Sequence, residues 1–536
     1  MNSWLHKCVF YQIYPTSFYD SNGDGVGDIP GIIEKLDYVK DLGINAIWLN
    51  PFFESPFMDG GYDVSNYYAI HKMFGNMGDF EDLINKAKKF KIRVVIDLVI
   101  GHTSNQHPWF IESAKDETNK FSDWYIWTDN NFNKYTSGAG SIHGLHSRDG
   151  GYVINYYACQ PALNFGFANP SCHAPKDDAY DLGEAWQMHY QDKRLKPLRD
   201  ELLNVMRFWL DKGVDGLRID MANSLVKGCN GASDKDEDIE GLRWLWNILL
   251  GTIRKEYPEA AFIAEWTWPS NSVGKCGFDL DYLAHDNQPY NDLLRNEKNT
   301  NILPGFEQGY TYFSAEGKGN IRSFLEMTEK FYKDVEGKGY FSVPSGYHDV
   351  VRVAEKKDAD VIKTMFAFLL TYKHVPFIYY GDEIGITHTF GINKDGGYIR
   401  TGCRTPMQWT NGKNRGFSVA DELYLPVNGD IDQSVETQEK DENSIYNVVK
   451  KLNKLRQITP AFYANAQQNI VSLKNNGYPI LYERTDGKKV YLIAINPADR
   501  ETFIEVKGTV LLSQNCIEEE KGFILTGKSF IIIEKV

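Results

Sequence analysis

Asp220, Glu265 and Asp349 share one place in the sequence pattern. Each closes or follows a short apolar run: 216–220 (GLRID), 261–265 (AFIAE), and 340–343 (YFSV), whose following loop holds His348 and Asp349. A further run, 93–100 (RVVIDLVI), carries Asp97 and leads into His102. Such runs read as strands, and parallel barrels do their chemistry at the C-terminal strand ends. Three carboxylates at three strand ends suit cleavage of a glycosidic bond. One acid protonates the leaving oxygen, a second carboxylate attacks or shields the anomeric carbon, and a third can hold sugar hydroxyls. Arg218 lies two residues before Asp220, on the same face of a strand, where it can keep Asp220 ionised. Any one of these residues alone would more often be a helix cap or a salt-bridge partner. The force comes from placement, type and order agreeing.

The elements that must position these groups recur. Eight apolar runs stand at 8–14, 46–50, 93–100, 216–220, 261–265, 277–281, 340–343 and 377–380. Several lack alternation, as parallel strands buried on both faces do. Helical periodicity lies between them at 32–42, 80–90 and 199–212. Alternating strands and helices in eight repeats predict an α/β fold, a (β/α)8 TIM barrel formed by residues 1–100 and 171–455. Residues 101–170, rich in Gly, Asn, Tyr and His, predict an inserted loop domain after the third strand, long enough to be functional. From 456 to 536 the pattern becomes short strands joined by turn pairs such as Asn476-Gly477 and Asp486-Gly487, which predicts a C-terminal all-β sandwich domain.

Composition narrows the partners. The formal net charge of −14 over 536 residues repels phosphate backbones, so no nucleic acid is expected. No glycine loop ends in Lys-Ser or Lys-Thr, which argues against a nucleoside triphosphate. The N-terminal stretch lacks an apolar signal region and no run reaches about 18 apolar residues, so the expectation is a cytoplasmic protein with no membrane contact. Seven scattered cysteines, an odd number with no CxxC pair, read as free thiols. Aromatic residues reach 14%, enough to furnish ligand platforms as well as a core.

At these residues the chain resembles the α-amylase superfamily of glycoside hydrolases, in its α-glucosidase and oligo-1,6-glucosidase branch. YQIYPTSFYDSNGDGVGDIPGI is similar to the branch's opening; DLVIGHTS, GLRID, IAEW and YHD resemble its third, fourth, fifth and seventh strand motifs. SPFMDGGYDVSNY, QPALN and CRTPMQW resemble three further signatures. The resemblance spans nearly the whole chain. It implies Asp220 as nucleophile, Glu265 as general acid and base, and Asp349 as binder of the 2- and 3-hydroxyls. It also implies a sugar subsite lined by His102, Arg218 and His348, with Tyr62 stacked beneath the ring. Asp59 and Arg404 would form the pair that grips a non-reducing-end glucose. The implied function is a retaining exo-α-glucosidase acting on short oligosaccharides; the sequence does not give the oligomeric state, and a monomer is the expectation. Transglucosylation or isomerisation, and endo-acting amylase activity, are the alternatives.

The sequence departs from the pattern at four places. Gly101 stands where the family often has an Asn that ligates calcium between barrel and insert. Met221 follows the nucleophile, where α-1,6-specific members carry Val and α-1,4-specific members Ala or Thr. Ser224 replaces the Lys-His pair of endo-amylases. Trp266, after the acid, could shape the leaving-sugar site or belong to the core. The stretch 20–31 (DSNGDGVGDIPG) has the first half of an EF-hand pattern, but Gly31 stands where the bidentate Glu belongs. The resemblance implies a structural Ca2+ there, held by Asp20, Asn22, Asp24, the Val26 carbonyl and Asp28.

Overall fold

The computed structural model describes residues 4–128, 140–168, 170, 187–298, 300, 309–428, 433–473 and 476–535. Cys172 and part of the expected insert lie outside them; the six described cysteines are free thiols. Eight strands form one parallel sheet: β1 (Phe10–Ile13), β2 (Ala46–Leu49), β3 (Arg93–Leu98), β4 (Gly216–Ile219), β5 (Ala261–Ala264), β6 (Leu280–Tyr282), β7 (Tyr340–Ser342) and β8 (Phe377–Tyr379). Their spatial order is β7-β6-β5-β4-β3-β2-β1-β8. A parallel bridge between Pro344 and Phe377, with Ser345 N donating to Phe377 O at 2.9 Å, joins β7 to β8 and closes the ring. The (β/α)8 barrel expected from the eight runs is therefore present. Its strands are buried on both faces, which is why their sequences do not alternate. The sixth strand starts three residues later than the run suggests. Gly277 there has a left-handed φ of 86°, and the Asp279 carboxylate instead accepts Phe262 N at 2.9 Å.

The outer helices start where capping chemistry allows. Asp28 caps Ile29–Asp41 by accepting Gly31 N at 2.6 Å, with Pro30 in the first turn. Asn76 and Asp79 form a reciprocal capping box on Met77–Phe90. Lys196–Asp211 precedes β4 and buries Leu198, Leu202, Val205, Met206 and Trp209.

Within the insert the described residues hold the helix Pro108–Ser113 and a three-stranded antiparallel sheet of Trp127–Thr128, Gly151–Ile154 and Gly140–His143. The QPALN stretch returns it to the barrel: His102 bridges Ala162, and Leu163 N donates to Gly101 O at 3.1 Å. The C-terminal region is all-β, as its pattern indicates. β9 (Gln467–Ser472), β10 (Ile480–Thr485), β11 (Val490–Asn496), β12 (Thr502–Glu505), β13 (Gly508–Glu519) and β14 (Gly522–Lys535) form one antiparallel hydrogen-bonded network. Two buried arginines meet the C-terminus of helix Ala359–Thr371: Arg456 from the helix Ile445–Ile458, and Arg484 from β10, which ties this domain to the barrel. Arg456 donates to Leu370 O at 2.9 Å and His374 O at 2.8 Å, and Arg484 donates to the Thr371 carbonyl. Helix-end carbonyls lacking intrahelical partners are thereby satisfied, which a buried end requires.

Glu383, just past β8, is fully buried and accepts from Tyr11 Oη at 2.6 Å and Tyr38 Oη at 2.7 Å. Burial pushes its carboxyl up to about 7. The folded state thus binds this proton more tightly than the unfolded chain, so the group's contribution to stability falls as pH rises from about 4.5 to about 7. Glu383→Gln, an isostere of the neutral acid, should be more stable than wild type at pH 8 by on the order of 3 kcal/mol, with the gap closing near pH 4.5. Urea unfolding across that range checks it; a gap that does not change with pH would contradict the assignment.

Candidate active site

A cavity of about 280 Å³ opens at the C-terminal ends of the barrel strands. At its floor lies Arg218, on β4 and with no exposed surface. Its Nη1 meets Asp97 at 2.6 Å and Asp220 at 3.0 Å; its Nη2 meets Glu265 at 2.8 Å and donates to the Tyr282 hydroxyl at 2.6 Å. One cation therefore serves carboxylates from β3, β4 and β5. Asp220 and Glu265 are also hydrogen-bonded to each other, and Met221 N donates to Glu265 Oε2 at 2.9 Å.

The electrostatics differ from the simple expectation that Arg218 keeps Asp220 ionised. Burial raises Asp220 well above the ordinary carboxylate range, and the adjacent Glu265 adds to the rise; Arg218 offsets only part of it. Burial pushes Glu265 up as well, but Arg218 outweighs it and the net shift is down. The reason is sharing. Arg218 is closer to Glu265 and to Asp97 than to Asp220, so it favours the charged form of Glu265 more than that of Asp220. Asp349 behaves differently. Burial would raise it, yet His348, Arg400 and Arg404 together hold it well below the usual range.

The residues expected to line a sugar subsite divide into two layers. Asp59, Tyr62 and His102 reach the cavity wall with Asp220, Glu265 and Asp349. Arg218, His348 and Arg404 lie behind it, each at most 2% exposed, and act on the carboxylates. His348 Nδ1 lies 3.0 Å from Gln12 Nε2, which leaves Nε2, 3.1 Å from Asp349, as the donor. The Tyr62 ring stacks on His348 at 5.2 Å, and its hydroxyl donates to Asp97 at 2.8 Å. His102 Nε2 lies 3.0 Å from Tyr62 O and its Nδ1 lies 3.0 Å from Asn155 Nδ2; burial lowers the imidazole to about 4 and keeps it neutral.

The pairing expected between Asp59 and Arg404 is replaced by another. Arg404 contacts Asp349 at 2.7 Å, whereas Asp59 pairs with Arg400 at 3.1 Å and accepts Gln160 Nε2 at 2.8 Å. Arg400 also reaches Asp349 at 3.1 Å, so it links two carboxylates across the end of the cavity. Arg400 lies inside the 3-10 helix Tyr398–Cys403 and Arg404 caps its end, four residues on, and the fold turns the earlier one toward Asp59. Sequence reasoning missed Arg400 because only this local turn distinguishes it from Arg404. Gln160, inside the QPALN motif, was within reach of that motif. Trp266 proves both wall and core: it borders the cavity while 4% exposed, and its Nε1 donates to Gly231 O at 2.8 Å.

Near Gly101 a buried lysine joins insert and barrel. Lys227 Nζ donates to Asn155 Oδ1 at 2.9 Å and to Ser224 O at 2.8 Å, and burial lowers it to about 8. A side chain at position 101 would approach Asn155 Nδ2 at 2.9 Å, so glycine leaves room for this link.

On the Asp/Gly loop, Asp20 accepts amides of Asn22, Gly23 and Gly25 and the Ser418 hydroxyl, and Asp28 accepts Gly31 N and the Ser21 hydroxyl. Asn22 and Asp24 accept the amides of Asp24 and Val26. Most of these oxygens already accept protein hydrogen bonds. No group of three His, Cys, Asp or Glu placed to hold a metal ion occurs among the described residues. In this arrangement the loop does not form a ready cation cage.

A barrel with an insert after β3 and a carboxylate cluster around a buried arginine defines a class of carbohydrate-active enzymes, and the comparisons agree. The profile described as the alpha amylase catalytic domain matches residues 12–464, and the chain belongs to that family. It is 30% identical over 551 residues to the oligo-1,6-glucosidase of Parageobacillus thermoglucosidasius, covering 93% of this chain and 91% of that protein. It is 29% identical to the glucan 1,6-alpha-glucosidase of a Streptococcus pneumoniae strain, with 96% of each covered. Among solved structures, isomaltulose synthase from Klebsiella sp. LX3 superposes with a TM-score of 0.80 at 26% identity, covering 99% of each chain. No helix among the described residues is long and apolar enough to cross a membrane.

The revised pairing has a direct test. In double-mutant cycles read by urea unfolding, Asp59→Ala with Arg400→Ala should show a coupling of about 1–2 kcal/mol, and Asp59→Ala with Arg404→Ala less than about 0.5. The reverse order would restore the Asp59–Arg404 pair.

Proposed function

We propose that the protein is a retaining, exo-acting α-glucosidase for short oligosaccharides. The carrying observation is the link of Asp59 to Arg400 and Gln160 on the cavity wall, which would close one end, with Asp220 and Glu265 within one hydrogen bond of each other. A closed end accepts a chain terminus and not the interior of a polymer, which weighs against endo-acting amylase activity. The close carboxyl pair suits retention, since an inverting pair stands about 6.5–9.5 Å apart to admit water between carboxylate and sugar. In the proposed reaction Glu265 carries the proton and Asp220 is ionised. Glu265 then protonates the glycosidic oxygen while Asp220 attacks the anomeric carbon, and the leaving sugar departs with that proton. Glu265 next takes a proton from water, whose oxygen displaces Asp220. Asp349, held ionised, accepts hydroxyls of the bound glucose.

Asp220→Asn should lower kcat at least about 10³-fold with an unchanged melting temperature. NMR of the first-formed sugar should show α-glucose. Near-wild-type turnover by the variant, or a β-product, would refute the mechanism. A second reading, isomerisation or transglucosylation, draws on the structural likeness to isomaltulose synthases and uses the same covalent intermediate. Chromatography of products from maltose, isomaltose, sucrose and trehalose separates them: mainly glucose supports hydrolysis, mainly a new disaccharide supports transfer.

We also propose Ca2+ as a structural ion on residues 20–28. Its support is the oxygen-only donor set, with Asp20, Asn22, Asp24, Asp28 and the Val26 carbonyl within one short loop. The ion would replace some amide contacts now made by those carboxylates. Thermal melts should drop by several degrees in EDTA and recover with added Ca2+; an unchanged melt with no bound metal by elemental analysis would reject the ion.

A further inference from the structure

Strands β2, β7 and β8 lead into the closed end of the cavity, where Asp59, Asp349 and Arg400 stand. The opposite half is walled by residues after β4, β5 and β6. Asp286, after β6, belongs to that half. It is the one carboxylate among the described lining residues that the mechanism above does not use, and it is exposed to the cavity.

A backbone outlier points at it. Thr267, two residues past Glu265, has φ of 67°, a left-handed conformation that β-branched residues rarely adopt. Such conformations persist when their surroundings over-determine them and cluster at functional sites. Here Asp281, on β6, is the restraint. It accepts the amides of Trp266 and Thr267 at 3.2 Å and Trp268 at 3.1 Å, and the Ser272 hydroxyl at 2.6 Å. The pinned turn carries the Thr267 side chain across to hydrogen-bond Asp286. The neighbouring His285 is fixed in turn, its amide donating to the Tyr347 hydroxyl at 2.9 Å.

Resting on the glucosidase reading of this site, we propose that Asp286, oriented by Thr267, recognises the sugar on the leaving side of the bond. Its carboxylate accepts hydrogen bonds from adjacent hydroxyls of the departing or accepting sugar, contacts a small leaving group cannot make. The experiment compares kcat/KM for isomaltose and maltose with that for α-D-glucosyl fluoride, whose leaving group is too small to reach Asp286. In Asp286→Asn and Asp286→Ala, the ratio of the better disaccharide to the fluoride should fall at least tenfold; Thr267→Val should move it the same way by less. Parallel losses on both substrates, or no change, overturn the proposal. A binding arm decides the case independently of turnover. In the Asp220→Asn background, Asp286→Ala should weaken binding of that disaccharide at least tenfold and leave glucose binding within threefold; equal weakening of both, or of neither, overturns it. A wild-type enzyme that cleaves none of these substrates would reject the glucosidase reading, while the binding arm still judges Asp286.

Discussion

One buried guanidinium organises the cavity. Arg218 has no exposed surface and no bulk water to share its charge, so carboxylates and a phenol must compensate it. Asp97, Asp220, Glu265 and Tyr282 do so from β3, β4, the end of β5 and β6. Four neighbouring strands are thereby fixed in relative depth at their catalytic ends. The Trp48, Tyr62 and Tyr282 rings pack around the cation within 5.8 Å and exclude water from it.

The same sharing sets the two neighbouring carboxyls apart. One positive charge faces three carboxylates in a largely buried site, so full ionisation of all three is unfavourable. The arrangement resolves this by favouring charge on Glu265, nearer Nη2, and raising Asp220. Catalysis of the proposed kind needs the opposite distribution. The two carboxyls stand within hydrogen-bond reach of each other, so a proton has a direct route between them. Asp349 takes no part in this exchange, because three cationic or polar neighbours of its own keep it charged.

Much of this was legible in the sequence for one reason: buried parallel strands are apolar on both faces, and the polar residues interrupting their ends stand out. Asp97, Asp220, Glu265 and Asp349 were all visible in that way. The boundaries of the helices were nearly so, because Asp28 and Asn76 cap with recognisable chemistry. What could not be read is set by contacts between distant segments. Arg400 meets Asp59 across 341 positions, and the resemblance offered Arg404, four residues away, in its place. Asp286 and Thr267 carry no pattern of their own, and their relation depends on a turn held by Asp281 from the next strand. Lys227 likewise gains its place only when Asn155 comes back from the insert.

The two halves of the cavity are built by different means, and this bears on what the enzyme can select. The closed end is a network of charges in which Arg400 joins Asp59 and Asp349, and Arg404 braces Asp349 from behind. Mutually paired charges resist displacement, so this half is suited to one fixed sugar. The other half relies on turns after β4 and β5, with left-handed Met221 and Thr267 beside the two reacting carboxylates. Turns can change their side chains without disturbing Arg218. The carboxylate cluster around Arg218 can therefore stay constant while the other half of the cavity is set by residues that the barrel merely holds in place.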